Sequence, residues 1–264
     1  MSDVSYRPLV EDMTWSYSRI NTFHQCPYRW FLKYIRGLDE TPQFYASYGK
    51  FIHKLLEEFY NGELSKDDMK MRFLVGFSDE VQGRRPSEKI VFSYIDKGIS
   101  YLDSFEAFPY NMVDVEMKFE IDFDGVPLIG FIDYLGELDG EYYIIDNKSR
   151  DLKPRSNRKT PTKKDEELDE MLKQLYVYSA AVREKYGKYP KKLCFNCFKN
   201  GVFIEEPFVA EKYNETLLWV MKSIEDIKNA SEDGSFPPNM EFFNCLYLCG
   251  YTDECEYWQM RGDI

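Results

Sequence analysis

No stretch of the sequence approaches the roughly 20 consecutive apolar residues of a membrane-spanning helix, so no membrane span is expected. The start, MSDVSYRPLVEDM, lacks both the basic and the apolar segments of a secretory leader. A cytoplasmic, reducing location is therefore expected (the host cytoplasm if the protein is viral). There the six cysteines serve as thiols or metal ligands rather than disulfides. Positive charge is not in excess either. The formal net charge of −12 argues against a surface that coats polyanions indiscriminately. Internal repeats and low-complexity linkers are missing too. What is present is 44% hydrophobic and 17% aromatic residues across 264, enough for a substantial core in one elaborated domain.

The charge is unevenly spread. Residues 150–164 (RDLKPRSNRKTPTKK) carry seven basic residues against one acidic, a net of +6, which leaves −18 on the rest. A short basic loop on an acidic body suits local contact with a phosphate backbone. Arg150, Lys153, Arg155, Arg158 and Lys159 are the candidates; a solvated loop without a partner is the plainer alternative.

Periodicity and punctuation set out the elements. Residues 1–15 read as irregular. Ser16 or Ser18 caps a short helix, and Pro27 fits the first turn of the next. Residues 47–62 are amphipathic, with Phe51, Leu55 and Phe59 on one face and Gly62 as a stop. Residues 64–108 read as mostly helical, broken near Gly83 to Pro86. Strands are expected over 111–123, 126–138 and 141–148, then a long helix over 166–186. Strands at 191–199 and 202–207 turn at Asn200-Gly201. A helix over about 209–230 precedes an irregular tail of cysteines and aromatics. The expected fold class is α/β, a central mixed sheet flanked by helices. Residues 16–108 form a helical addition, 109–208 the core, and 209–264 the last helix and cysteine tail of a single domain spanning 1–264.

Asp139-Gly140 between two β-rich runs is a strong hairpin signal for a two-residue type I′ loop. In that register partner numbers sum to 279, so Asp133 faces Asp146, with Lys148 on the same side. Opposed carboxylates in an apolar sheet repel each other, and a divalent cation between them removes the penalty. Gln174 and Tyr178, one helical turn apart, both look toward the same place. Glu116 and Glu120 on the preceding strand are candidate extra carboxylates.

These residues resemble the PD-(D/E)xK nuclease superfamily, specifically its RecB-type branch. Gly130-Phe131-Ile132-Asp133 matches its G-x-I-D strand and Asp146-Asn147-Lys148 its D/E-x-K strand. Gly49 through His53 matches a preceding G-x-x-x-H helix, and Gln174 with Tyr178 a following Q-x-x-x-Y helix. The stretch from Ser16 to Trp30 is also similar to this branch. The resemblance implies a restriction-endonuclease-like core and a Mg²⁺ or Mn²⁺ ion held by Asp133, Asp146 and the main-chain carbonyl of Asn147, with His53 the ligand through which a second ion attaches. Lys148 then orients the attacking water and stabilises developing charge, and Gln174 and Tyr178 complete the catalytic set.

Within that branch a subset carries one N-terminal and three C-terminal cysteines on a [4Fe–4S] cluster, among them the CRISPR adaptation nuclease and the nuclease domain of AddAB-type helicases. Cys26, Cys245, Cys249 and Cys255 match that pattern, although the first C-terminal spacing is one residue longer. Zinc is the rival, on the same four or on Cys194, Cys197, Cys245 and Cys249. Cys194 and Cys197 otherwise read as buried thiols on opposite faces of a strand.

The resulting expectation is a metal-dependent deoxyribonuclease, an exonuclease on single-stranded DNA or duplex ends. The length leads us to expect no fused helicase. Recombination, replication or CRISPR adaptation proteins are the candidate partners. The alternatives are a CRISPR-spacer-processing endonuclease and a non-catalytic DNA-binding or assembly factor on a nuclease fold.

Overall fold

Capping side chains decide where the N-terminal helices begin. The computed structural model describes residues 5–123 and 125–260. Residues 1–4 of the stretch expected to be irregular lie outside that range, and within it a short helix α1 (Arg7–Val10) forms. Ser16 accepts the Arg19 N–H to start α2 (Tyr17–Gln25), and Cys26 stands as N-cap of α3 (Pro27–Tyr34). Then come α4 (Phe44–Tyr60), α5 (Lys66–Glu80, capped by Ser65) and α6 (Glu88–Ser104). Gly62 and Gly83, both at positive φ, punctuate these helices.

Strands β1 (Asn111–Phe123), β2 (Val126–Leu138) and β3 (Glu141–Lys148) follow as an antiparallel meander. Asp139 and Gly140 take φ of 54° and 76°, as a type I′ turn requires. The pairs run from Leu138–Glu141 to Tyr134–Ile145, each summing to 279. Helix α7 (Lys163–Tyr186) then crosses over, because β4 (Lys192–Cys197) lies parallel to β3. Strand β5 (Val202–Pro207) returns antiparallel, giving the order β1-β2-β3-β4-β5. Helix α8 (Ala210–Glu232), a π-helical turn at Asn244–Leu248 and α9 (Glu256–Gln259) complete the described chain. The tail expected to be irregular thus contains two short helical turns.

Helices cover both faces of the sheet. Trp30, Leu172, Leu175 and Ile224 pack on one face with Phe119, Leu128, Ile144 and Phe195. Phe51, Leu55, Phe73 and Leu102 form a second layer with Phe198. Strand β2 swaps faces at Asp133: Ile132 and Leu135 pack in the first layer, whereas Tyr134 joins Ile145 and Cys194 on the other. The matching point on β1 is Glu116, in a left-handed conformation at φ 49° between the pairs Val115–Tyr134 and Met117–Ile132. A left-handed non-glycine residue bends a strand and re-aims its side chain.

The basic loop is folded against the body. The Asp165 carboxylate accepts the backbone N–H and hydroxyl of both Ser156 and Thr162, which also caps α7. Leu152 is buried beneath it. Among the described residues no helix is long and apolar enough to cross a membrane.

Candidate metal centre and active site

The β2–β3 ladder stops at Tyr134–Ile145, one pair short of the expected facing of Asp133 and Asp146. Beyond it, Asp133 Oδ2 accepts the Asn147 N–H at 2.7 Å, so the strands part and their ends open into a cleft of about 860 Å³. The cleft runs between α2 and α4 and is floored by Asp133, Asp146, Asn147 and Lys148.

The group that converges is His53, Glu116 and Asp133, with one ligand atom of each within 4.8 Å of the others. His53 Nε2 lies 2.8 Å from the Asn147 carbonyl oxygen, and its Nδ1 3.4 Å from Asp133 Oδ2. Hard cations bond oxygen ligands at about 2.0–2.6 Å, so these donors lie within the span of one ion. Carboxylate and carbonyl oxygens suit Mg²⁺ and Mn²⁺, and an imidazole nitrogen suits transition metals.

The expected pair of facing carboxylates is corrected here. Asp133 is drawn to the Asn147 amide and His53, while Asp146 belongs to a second group. Its Oδ1 accepts from Gln174 Nε2 at 3.0 Å. Its Oδ2 lies 2.6 Å from Lys148 Nζ, an ion pair outside hydrogen-bond geometry. Burial first, and the Asp133 charge with it, raises the Asp146 carboxyl to about 6 against the opposing pull of Lys148. Burial and then Asp133 likewise raise Glu116 to about 7. Carboxyl groups held up by burial and mutual repulsion in one cleft mark a place that takes up a cation or a proton.

One amide organises the second group. Gln174 accepts from Lys148 Nζ at 2.8 Å, and its Nε2 donates to Asp146 and to the Tyr178 hydroxyl at 2.7 Å. Tyr178 is buried, packed edge-on against Phe119. It reaches the acids only through Gln174, so it positions rather than touches.

Asn196 on β4 belongs to the site and was not anticipated. Its Nδ2 donates to Asn147 Oδ1 and to the Tyr101 hydroxyl, both at 2.7 Å, steadying the residue whose carbonyl faces His53. A lone amide inside the apolar run LCFNCF was its only signal. Glu116 takes the place allowed for an extra carboxylate, whereas Glu120 is exposed, one pair beyond Phe119–Gly130.

The motif glycines are steric. A Cβ at Gly49 would meet Ser149 Oγ at 3.3 Å. At Gly130 it would lie 2.5 Å from Phe119 Cζ and 3.3 Å from Tyr178 Cε1. Gly130→Ala is therefore expected to cost about 1–3 kcal/mol through overpacking and to slow turnover by displacing the ring that holds Gln174. Thermal melting beside a steady-state rate checks both; an unchanged midpoint would show that the rings yield freely.

Of the basic residues, Arg150 lines the cleft, and Lys153, Arg158 and Lys159 are exposed on the loop. Arg155 is a correction. Its guanidinium is held by Glu206 at 2.8 Å and Asp169 at 2.8 Å, and their hydrogen bonds raise its pKa, so it fastens the loop to β5 and α7 instead of facing a phosphate.

Cys194 and Cys197 are buried in opposite core layers, so a zinc site drawing on both is not formed. Burial pushes the Cys197 thiol up to about 11. Cys26, Cys245, Cys249 and Cys255 meet at the seam between α3 and the tail, every pair within electrostatic reach. Asn239 bridges two of them, its N–H to Cys26 Sγ at 3.4 Å and its carbonyl to Cys245 Sγ at 3.8 Å.

No curated protein matches the chain. Among solved structures, a candidate exonuclease from Eubacterium rectale superposes with a TM-score of 0.56 at 13% identity, over 94% of this chain and 87% of that one. At that identity the likeness speaks for the fold alone. The family model for the PD-(D/E)XK nuclease superfamily matches residues 14–258. A match over nearly the full length, on a sheet and cleft of this form, makes the chain a member of that superfamily.

Proposed function

We propose that the chain is a divalent-metal-dependent DNA nuclease of the RecB type, acting as one domain and removing nucleotides from single strands or duplex ends. The observation that carries this reading is the meeting of His53, Glu116 and Asp133 within 4.8 Å beside the Asp146–Lys148 pair. His53, Glu116, Asp133, Asp146 and the Asn147 carbonyl would hold Mg²⁺ or Mn²⁺. Such an ion would offset charge at the scissile phosphate and activate a water as nucleophile. Lys148 Nζ would orient the attacking water and counter charge building on the phosphoryl oxygens. Gln174 keeps Lys148 and Asp146 in register, and Tyr178 keeps Gln174. Arg150, Lys153, Arg158 and Lys159 steady the sugar–phosphate backbone outside the cleft.

A [4Fe–4S] cluster on Cys26, Cys245, Cys249 and Cys255 would clasp the tail to α3. The supporting observation is convergence: all four thiols meet at one seam, each within electrostatic reach of the other three, and four thiolates are the complement such a cluster needs. Zinc on the same four is the alternative, and stoichiometric zinc in a colourless protein would establish it. Absorbance near 400 nm in anaerobically purified protein is expected.

End-labelled linear DNA is expected to disappear with Mn²⁺ or Mg²⁺ and to persist with EDTA, while closed circles resist. Circles cut as fast as linear DNA would make the enzyme an endonuclease. Linear DNA untouched with either ion would remove the nuclease reading.

A further inference from the structure

We infer that the substrate reaches the site as an unpaired strand, passing Tyr45 on the cleft wall and the Phe243 and Tyr247 rings packed against it; this rests on the nuclease reading and specifies it. Helix α4 turns one face to the cleft, with Tyr45, Gly49, His53 and Glu57 in a row and Lys50 and Lys54 alongside. Eight residues of helix set Tyr45 about 12 Å from His53 along the axis. At that outer end the tail folds back onto the helix. Phe243 packs against Tyr45 with ring centres 5.8 Å apart, and Tyr247 touches both, at 6.2 Å and 5.4 Å. Phe243 is nonetheless 45% exposed.

Tyr45, half-buried, lines the cleft with Asp133, Asp146 and Lys148, and the exposed Phe243 and half-buried Tyr247 pack against that ring from outside the cleft lining. The exposed Lys50, one turn further in, supplies charge for a phosphate backbone between the rings and the acids. Aromatic faces joined to a basic track are how proteins hold unpaired bases, with little regard to sequence. A duplex keeps its bases stacked on each other and presents no free face. The occupant is therefore single-stranded nucleic acid, and a duplex end must fray before it is cut.

The test uses the full-length protein in EDTA, with 2-aminopurine-labelled oligonucleotides in single-stranded and blunt duplex form. Phe243→Ala is expected to weaken single-strand binding about tenfold and to reduce the fluorescence quenching, with duplex binding unchanged. Phe243→Trp restores the single-strand affinity. Tyr45→Leu, which keeps apolar bulk and removes the ring, repeats the loss; melting curves verify folding. Equal loss for both substrates, no loss for either, or a wild-type protein that quenches nothing overturns the platform. Cleavage by the wild type in Mn²⁺ is scored separately. An inactive protein with intact strand selectivity would sink the nuclease reading alone.

Discussion

Asp133→Ala is expected to lower metal-dependent cleavage by roughly a thousandfold or more and to abolish tight Mn²⁺ binding. Asp133 lies on the floor of the cleft. One carboxylate oxygen faces the Asn147 amide and the His53 ring, and its charge is among those raising both Glu116 and Asp146. On the proposed reading its removal takes away a ligand, and it also frees the Asn147 N–H that Asp133 holds where β2 and β3 part. Isothermal titration with Mn²⁺ in wild type and variant checks the binding. The same titration carries a pH signature. Glu116 and Asp146, raised to about 7 and about 6, must lose protons to take the ion. Affinity therefore climbs as pH rises through 6 to 7 and levels above it, with protons released on binding. A variant that still binds Mn²⁺ as tightly as wild type would remove Asp133 from the ligand set.

Lys148→Ala is expected to reduce kcat by about 10²–10³-fold while Mn²⁺ still binds. Lys148 sits 2.6 Å from Asp146 and 2.8 Å from Gln174, held so that its ammonium faces the cleft. Its positive charge holds Asp146 lower than burial alone would. Deleting it raises that carboxyl further, so residual activity shifts to higher pH. Lys148→Arg gives little rescue, because a planar guanidinium cannot occupy the same point and keep the Gln174 contact. A kcat within severalfold of wild type would assign the ammonium a structural role.

The meander was readable because its signals are local. Strict alternation from Met117 to Phe123, the Asp-Gly turn and the apolar run into Ile145 leave one register. The family motifs marked His53, Asp133, Lys148 and Gln174 in the same way. The register itself ends one pair earlier than the turn implies, at Tyr134–Ile145. Alternation sets Glu116 with Lys118 and Glu120 on the outward side, and nothing in the residue itself announces a φ of 49°. Its carboxylate is aimed by the bend, a property of how the sheet twists beneath α4 and α7. Arg155 shows the same limit. Loop composition cannot distinguish a side chain facing solvent from one seated between Asp169 and Glu206, which come from two distant elements. Phe243 and Tyr247 sit in a tail without period, where only the fold-back onto Tyr45 reveals a shared surface.

The donors described above come from separate stretches of chain, with His53 on α4, Glu116 on β1, Asp133 on β2, the Asp146–Lys148 run on β3 and Gln174 on α7. None of these stretches carries a working set alone. On the proposed reading, a chain that ends before α7 lacks Gln174 and is expected to be inert toward nucleic acid, so that activity would come only with the long crossover helix.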